Sequence, residues 1–247
     1  MTGLAALAYA RLEAAAYRLR RFDVNVGPEF PGSLRILHLS DMHMTPRRNR
    51  LQQWVGDLHS LSLDLVVVTG DFLAHRDAVE PTVRALDALL DVPGVFVLGS
   101  NDYYAPHPIN PFMYFAGPSD LKEDRPQLPW PDLVSNLERR GWLHLANRRG
   151  LIKVGDHVIA VRGVDDPHIG RDDCAAIAGQ AEAEAGLSLG VAHAPYLRVL
   201  DAFTADGVQV ALAGHTHGGQ VRMPGVGALV TNCDLDRRRA QIGRAHV

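Results

Sequence analysis

Cysteine is nearly absent from this chain, with two residues, Cys174 and Cys233, among 247. Two are too few for a disulfide framework, and they lack the paired spacing of a structural zinc site. They fit a reducing compartment, so a cytoplasmic location is expected. Basic charge is not in excess either. A net charge of −3 argues against the positive footprint of a nucleic-acid-binding surface, and no nucleic-acid partner is expected. No apolar run approaches the roughly 20 residues that cross a bilayer, and the first residues lack the basic leader and cleavage pattern of a secretory signal. Apolar side chains, by contrast, make up 47% of the chain, enough for the core of one large α/β domain.

Along the chain, residues 1–26 come first. Leu4, Leu7, Ala8, Ala15 and Leu19 recur near helical spacing, with Arg11, Arg18, Arg20 and Arg21 among them. Such a basic amphipathic helix either makes a peripheral contact with an anionic membrane or packs on its own domain. Residues 20–26 read as an edge strand. The main domain is expected over residues 27–236. Apolar strands at residues 34–40, 65–69, 95–98, 187–191 and 208–213 alternate with helical patterns at residues 51–61, 77–90, 133–140, 174–185 and 195–203, which predicts an α/β fold with a parallel or mixed sheet. Residues 142–161 read as a meander that turns at Gly155-Asp156.

Two stretches break this rhythm. Residues 103–132 hold seven of the 15 prolines together with Tyr103, Tyr104, Phe112, Tyr114, Phe115 and Trp130. A loop of this length is usually functional. It reads as a lid that offers an apolar wall to a lipid-like substrate, or as a wrap over the core. At Asp165-Asp166-Pro167-His168, capping of a helix from Asp172 onward ranks ahead of a cation site. The run Arg47, Arg48, Arg50 reads first as a solvated face, with phosphate attraction as the second reading.

The chemistry gathers at strand ends. Residues 208–213 run into Gly214-His215-Thr216-His217-Gly218-Gly219-Gln220, where flanking glycines let two imidazoles turn toward one point. The strand at 34–40 ends in Asp41-Met42-His43, and the strand at 65–69 in Gly70-Asp71. The strand at 95–98 ends in Gly99-Ser100-Asn101-Asp102, and the one at 187–191 in Ala192-His193. Ligands of open α/β sheets collect at the carboxyl edge, so five donor-bearing ends point to one site.

In these five blocks and their order, the chain resembles the calcineurin-like metallophosphoesterases. The form Gly-His-Thr-His-Gly-Gly-Gln is similar to a bacterial branch that includes membrane-associated phosphoesterases and UDP-diacylglucosamine pyrophosphatases. The resemblance implies a layered α-β-β-α sandwich with two mixed sheets. It also implies two divalent metal ions, of which Mn, Fe or Zn suit mixed imidazole and carboxylate donors. Asp41, His43 and His217 would hold one ion and His193 and His215 the other, with Asp71 between them. The implied activity is hydrolysis of a phosphoester or pyrophosphate bond by a hydroxide generated on the metals. The substrate would be a small-molecule or lipid-linked phosphate.

The chain departs from the family at Gly99-Ser100-Asn101-Asp102. The usual Asn ligand aligns with Ser100 and the usual catalytic His with Asn101. Either Asn101 reaches the second ion, or Ser100 and water fill its place. Asn101 is favoured, because its amide oxygen is the better donor. His107 is the candidate substitute acid. A metal-binding scaffold or regulatory protein with impaired catalysis is the rival reading. Ala74 stands where purple acid phosphatases carry a tyrosine, so a tyrosinate–iron site is not expected. The resemblance also implies further strands after the last block. Only 27 residues follow Gln220, residues 237–247 read as an unstructured tail, and residues 242–247 resemble a translated sequencing adapter. The natural C-terminus is therefore expected to be missing.

Overall fold

Five consecutive buried residues, Leu65–Thr69, form the strand from which the layering is read. An apolar strand without polar alternation has both faces covered, and here the two faces enter different layers. Val66 and Val68 pack toward helices, with Leu37, Leu39, Phe96 and Leu98. Leu65 and Val67 pack between sheets, with Ile159, Val161, Leu189 and Val191. The computed structural model describes residues 16–28, 30–106, 125–219, 221–223 and 227–239. It shows the layered α-β-β-α arrangement expected from the sequence.

The first sheet contains β1 (Ile36–Leu39), β2 (Leu65–Thr69), β3 (Gly94–Val97) and β4 (Leu143–His144) in that order. It is parallel throughout instead of mixed. The reason is its connections, since parallel neighbours need crossovers. The helices α1 (Asn49–Asp57), α2 (Val79–Leu86), α3 (Ser100–Tyr103) and α4 (Trp130–Arg139) lie between its strands in the chain. Leu51 and Val55 of α1, and Leu133 and Leu137 of α4, lie one turn apart and face the sheet core. The second sheet is mixed. β5 (Arg148–Val154) runs antiparallel to β6 (His157–Gly163), while β7 (Leu187–Ala192) and β8 (Val210–Ala213) continue it in parallel. Val199 and Phe203 of α5 (Leu197–Ala205) cover its outer face with Ile177. A short antiparallel pair follows, β9 (Val221–Met223) and β10 (Gly227–Val230).

Two expected elements do not form. Residues 174–185 carry only the 3-10 turn Ala175–Ile177. Arg162, buried under the second sheet, donates Nη1 to the carbonyls of Ile177 (3.1 Å) and Gly179 (2.7 Å). Arg149 donates to those of Ala178 (2.9 Å) and Gln180 (3.2 Å). Two arginines thus take the acceptors that a helix would use. Residues 20–26 form no strand. Leu19, Phe22 and Val24 are exposed, while Val26 packs against the core between the sheets. The N-terminal helix over residues 1–15 and the proline-rich loop over residues 107–124, with His107, lie outside the described residues.

His144, at the end of β4, stacks on Phe96 with ring centroids 4.9 Å apart, and burial pushes its pKa from 6.5 down to about 4. Between those values the unfolded chain binds a proton that native His144 refuses. Stability is therefore complete above the unfolded value and falls as pH drops, by about 1.4 kcal/mol per unit for this group. Urea unfolding across the window should show a shallower pH slope in His144→Phe than in the parent. Equal slopes would contradict this.

Candidate metal centre

Eight non-glycine residues among those described have positive φ, and five are Asp41 (52°), His43 (43°), Asp71 (54°), His215 (66°) and His217 (49°). Each such residue costs about 1–3 kcal/mol and persists only where surroundings enforce it. The enforcement is visible. The Asp41 and His43 N–H groups donate to the carbonyls of Gly70 (3.0 Å) and Asp71 (2.8 Å), and Met44 donates to Phe72 (2.7 Å). Gly214 N–H reaches the His193 carbonyl (2.8 Å), and His215 N–H reaches Asp41 Oδ2 (3.0 Å). Gly70 itself has φ 90°, and a Cβ there would strike the Gly99 nitrogen and His193 Nδ1. A Cβ at Gly214 would strike Ser40 Oγ and Asp41. The loops therefore close on one another without room for larger residues.

This closure brings donor atoms together in two groups, Asp41–His43–His217 and Asp41–Asp71–His193, each with its atoms within 4.8 Å of one another. His43 Nε2 lies 3.5 Å from His217 Nε2 and 3.6 Å from Asp71 Oδ2. His217 Nε2 is 3.4 Å from Asp41 Oδ1, and His193 Nε2 is 3.5 Å from Asp71 Oδ1. These separations are long for hydrogen bonds. They are close to the edge of a coordination polyhedron, about 3.0–3.4 Å for bonds of about 2.1 Å. The first group opens to solvent through exposed His217, whereas Asp71 and His193 are buried.

His193 gives the clearest test of fit. Its Nδ1 lies 2.6 Å from the Thr69 carbonyl, which can only accept, so Nδ1 carries the hydrogen. In the neutral ring Nε2 then holds the lone pair. That atom is buried, has no hydrogen-bond partner and faces Asp71. Burial works against the Asp71 charge, yet His193, His43 and both Asn101 donors hold its carboxyl well below the usual range. Burial likewise opposes charge on His193, but Asp71, Asp166 and Asp41 lift its pKa to about 9. The carboxylates draw a positive charge into this pocket, here a proton. Carboxylate oxygen with imidazole nitrogen suits Mn, Fe or Zn, and the residues present fit a divalent cation.

The remaining expected residues sit at the rim of these groups. Asn101 lies on Asp71, its backbone N–H donating to Oδ1 (2.9 Å) and its Nδ2 to Oδ2 (2.7 Å). A half-turn of that amide exchanges its nitrogen and oxygen. Ser100 is buried at the start of α3. The His215 ring stands 5.2 Å from that of His193, with Nε2 3.2 Å from the Asn232 carbonyl. His215 is in neither group of three. Burial, then the neighbouring His193 and His168, push its pKa down to about 3.

Several contributors have no motif to announce them. Asp102 is fully buried and accepts from Leu73 N–H (2.9 Å) and Gly99 N–H (3.0 Å), tying the β2 and β3 ends together. Ser40 donates to Asp41 Oδ2 (2.5 Å). The helix from Asp172 onward that Asp165-Asp166 is expected to cap does not form, and Asp166 instead caps the adjacent 3-10 turn Pro167–Ile169, accepting from His168 N–H (2.9 Å). Asp165 accepts from Tyr103 Oη (2.6 Å) and Arg171 Nε (2.8 Å). Asp102, inside a block already suspected, and the pair Asp165-Asp166 left a trace in the sequence, whereas Ser40 did not.

Several known proteins are similar to this chain. YpbG, an uncharacterized protein of Bacillus subtilis, is 28% identical over 192 residues, which is 76% of this chain and 63% of YpbG. A transmembrane protein with metallophosphoesterase domain from Danio rerio is 27% identical over 203 residues, 78% of this chain and 42% of that protein. The chain thus spans less than two thirds of either relative. The structure of purple acid phosphatase PPD1 from yellow lupin seeds aligns with a TM-score of 0.45 at 11% identity, over 76% of this chain and 38% of that one. Calcineurin-like phosphoesterase is the family matched by residues 34–219, a span that takes in every donor-bearing strand end, and this chain belongs to it.

Proposed function

We propose that this chain is a metal-dependent hydrolase of phosphoester or pyrophosphate bonds that works with two divalent ions. The observation that carries the reading is the pair of donor groups sharing Asp41, with Asp71 between His43 and His193. Asp41, His43 and His217 would hold one ion and His193, His215 and Asn101 the other, with Asp71 offering one oxygen to each. Ions so held supply Lewis acidity toward phosphoryl oxygens and acidify water enough for attack at neutral pH. The αL turns keep the ligands aimed before substrate arrives, and exposed His217 marks the open side from which a phosphate enters.

Asn101 stands where relatives by motif place an imidazole, and an amide cannot donate a proton to a leaving group. General-acid assistance is worth about 10²–10⁴-fold, so substrates whose leaving groups need no protonation are favoured. Pyrophosphates and aryl phosphates meet that condition. A lipid-linked phosphate fits the exposed Leu19, Phe22 and Val24 beside Arg18, Arg20 and Arg21, a strip suited to peripheral contact with an anionic membrane. No helix among the described residues is long and apolar enough to cross a membrane. Membership of the bacterial branch with UDP-diacylglucosamine pyrophosphatases is part of this proposal.

Hydrolysis of bis-p-nitrophenyl phosphate with Mn²⁺ should be lost on chelation, restored by Mn²⁺, and reduced to background in Asp71→Ala. Parent protein that binds Mn²⁺ without turning over any ester would favour the impaired scaffold. Aryl esters should be cleaved at least about 10²-fold faster than alkyl esters when chemistry limits the rate. Equal rates would contradict the role given to Asn101.

A further inference from the structure

The arginine run after the first ligand block divides in the structure. Arg47 and Arg50 are exposed, while Arg48 turns inward. Its Nη1 donates to the carbonyls of Met42 (2.8 Å) and His43 (3.1 Å). We propose that Arg48 is a positioning residue for the ion held by Asp41, His43 and His217, fixing through two carbonyls the left-handed turn that aims Asp41 and His43. The inference rests on the metal-dependent function proposed above.

The turn alternates an αL residue, a buried core residue and a second αL residue, Asp41-Met42-His43. Its N–H groups are tied to the β2 end through Gly70, Asp71 and Phe72. Its carbonyls point the other way, and Arg48 meets them. The guanidinium is well placed for this. Arg48 is the N-cap residue of α1, whose Leu51 and Val55 are buried, so the donor starts from a rigid element. Gln52, one turn on, donates to the carbonyls of Thr45 (3.3 Å) and Pro46 (3.4 Å) of the same loop. Tyr17 brackets the other side, with its Oη 3.5 Å from Arg48 Nη2 and its ring 5.4 Å from that of Trp54. Two of the guanidinium's five N–H donors are thus directed at the turn. A planar guanidinium holds such a fixed pair of acceptors in a way that a rotating ammonium does not.

Groups that orient metal ligands typically contribute about 10–100-fold to metal affinity. Mn²⁺ titration calorimetry and the visible spectrum of the Co²⁺-loaded chain read this without relying on turnover. Arg48→Met, which keeps the bulk and removes the donors, should weaken the ion by that factor and change the Co²⁺ spectrum. Arg48→Lys should recover part of both. Parent-like affinity and spectrum in both variants would overturn the proposal. So would tighter binding, which would show that the guanidinium acts by repelling the ion. Should Arg48→Met fail to fold, Arg48→Gln, with N–H donors and no charge, takes its place under the same criteria. A parent protein that binds no Mn²⁺ or Co²⁺ would overturn the metal-dependent function itself and this inference with it.

Discussion

Left-handed backbone at five charged or imidazole-bearing residues is the constraint from which the site follows. Residues two apart in a β-strand share one face of the sheet, so a continuing strand would aim Asp41 and His43 at that face and not at a point beyond the sheet edge. The αL conformation at both makes that turn, and the same device recurs at Asp71, His215 and His217. Such conformations are costly singly. They are held here as a set, because each loop's N–H groups find acceptors in the neighbouring loop and Asp41 and Asp71 accept from backbone as well. The rigidity comes from below. β2 is buried on both faces and supplies the acceptors Gly70, Asp71 and Phe72 from its end.

Electrostatics then decides what the pocket admits. Asp71 is buried among imidazoles and amide donors that keep it ionised, and His193 gains proton affinity from the surrounding carboxylates despite its own burial. A buried anion of this kind is expensive unless compensated. The backbone supplies part of the compensation, and a divalent ion between the donor atoms would supply more. The Thr69 carbonyl fixes the His193 ring with Nε2 toward Asp71 before any ion arrives, which is how outer contacts commonly orient metal ligands.

Much of this was legible because strands are short-range patterns and their ends are marked by glycine. Asp41, His43, Asp71, His193 and His217 can be named from apolar runs that stop at donor residues; strand–helix alternation points to an α/β fold, and the layered sheets are what the family resemblance implies. What stayed hidden depends on distant partners. Residues 174–185 are alanine-rich and read as a helix, yet Arg149 and Arg162 claim their carbonyls from the second sheet. Arg48 reads as one member of a charge run, because its acceptors exist only once Met42 and His43 adopt their turn. Asp165-Asp166 reads as the cap of a helix from Asp172, but that helix does not form and Asp166 caps the adjacent turn instead. Asn101 was preferred over Ser100 on donor strength, and it lies on the Asp71 carboxylate while Ser100 is buried at the helix start.

The central claim is that these loops enclose a pair of divalent ions about Asp71. Anomalous scattering from Mn²⁺-soaked crystals tests it most directly. The account predicts two peaks flanking the Asp71 carboxylate, about 3.5–4 Å apart, with His43 and His217 beside one and His193 beside the other. Manganese bound elsewhere on the surface, with no peak at Asp71, would contradict it.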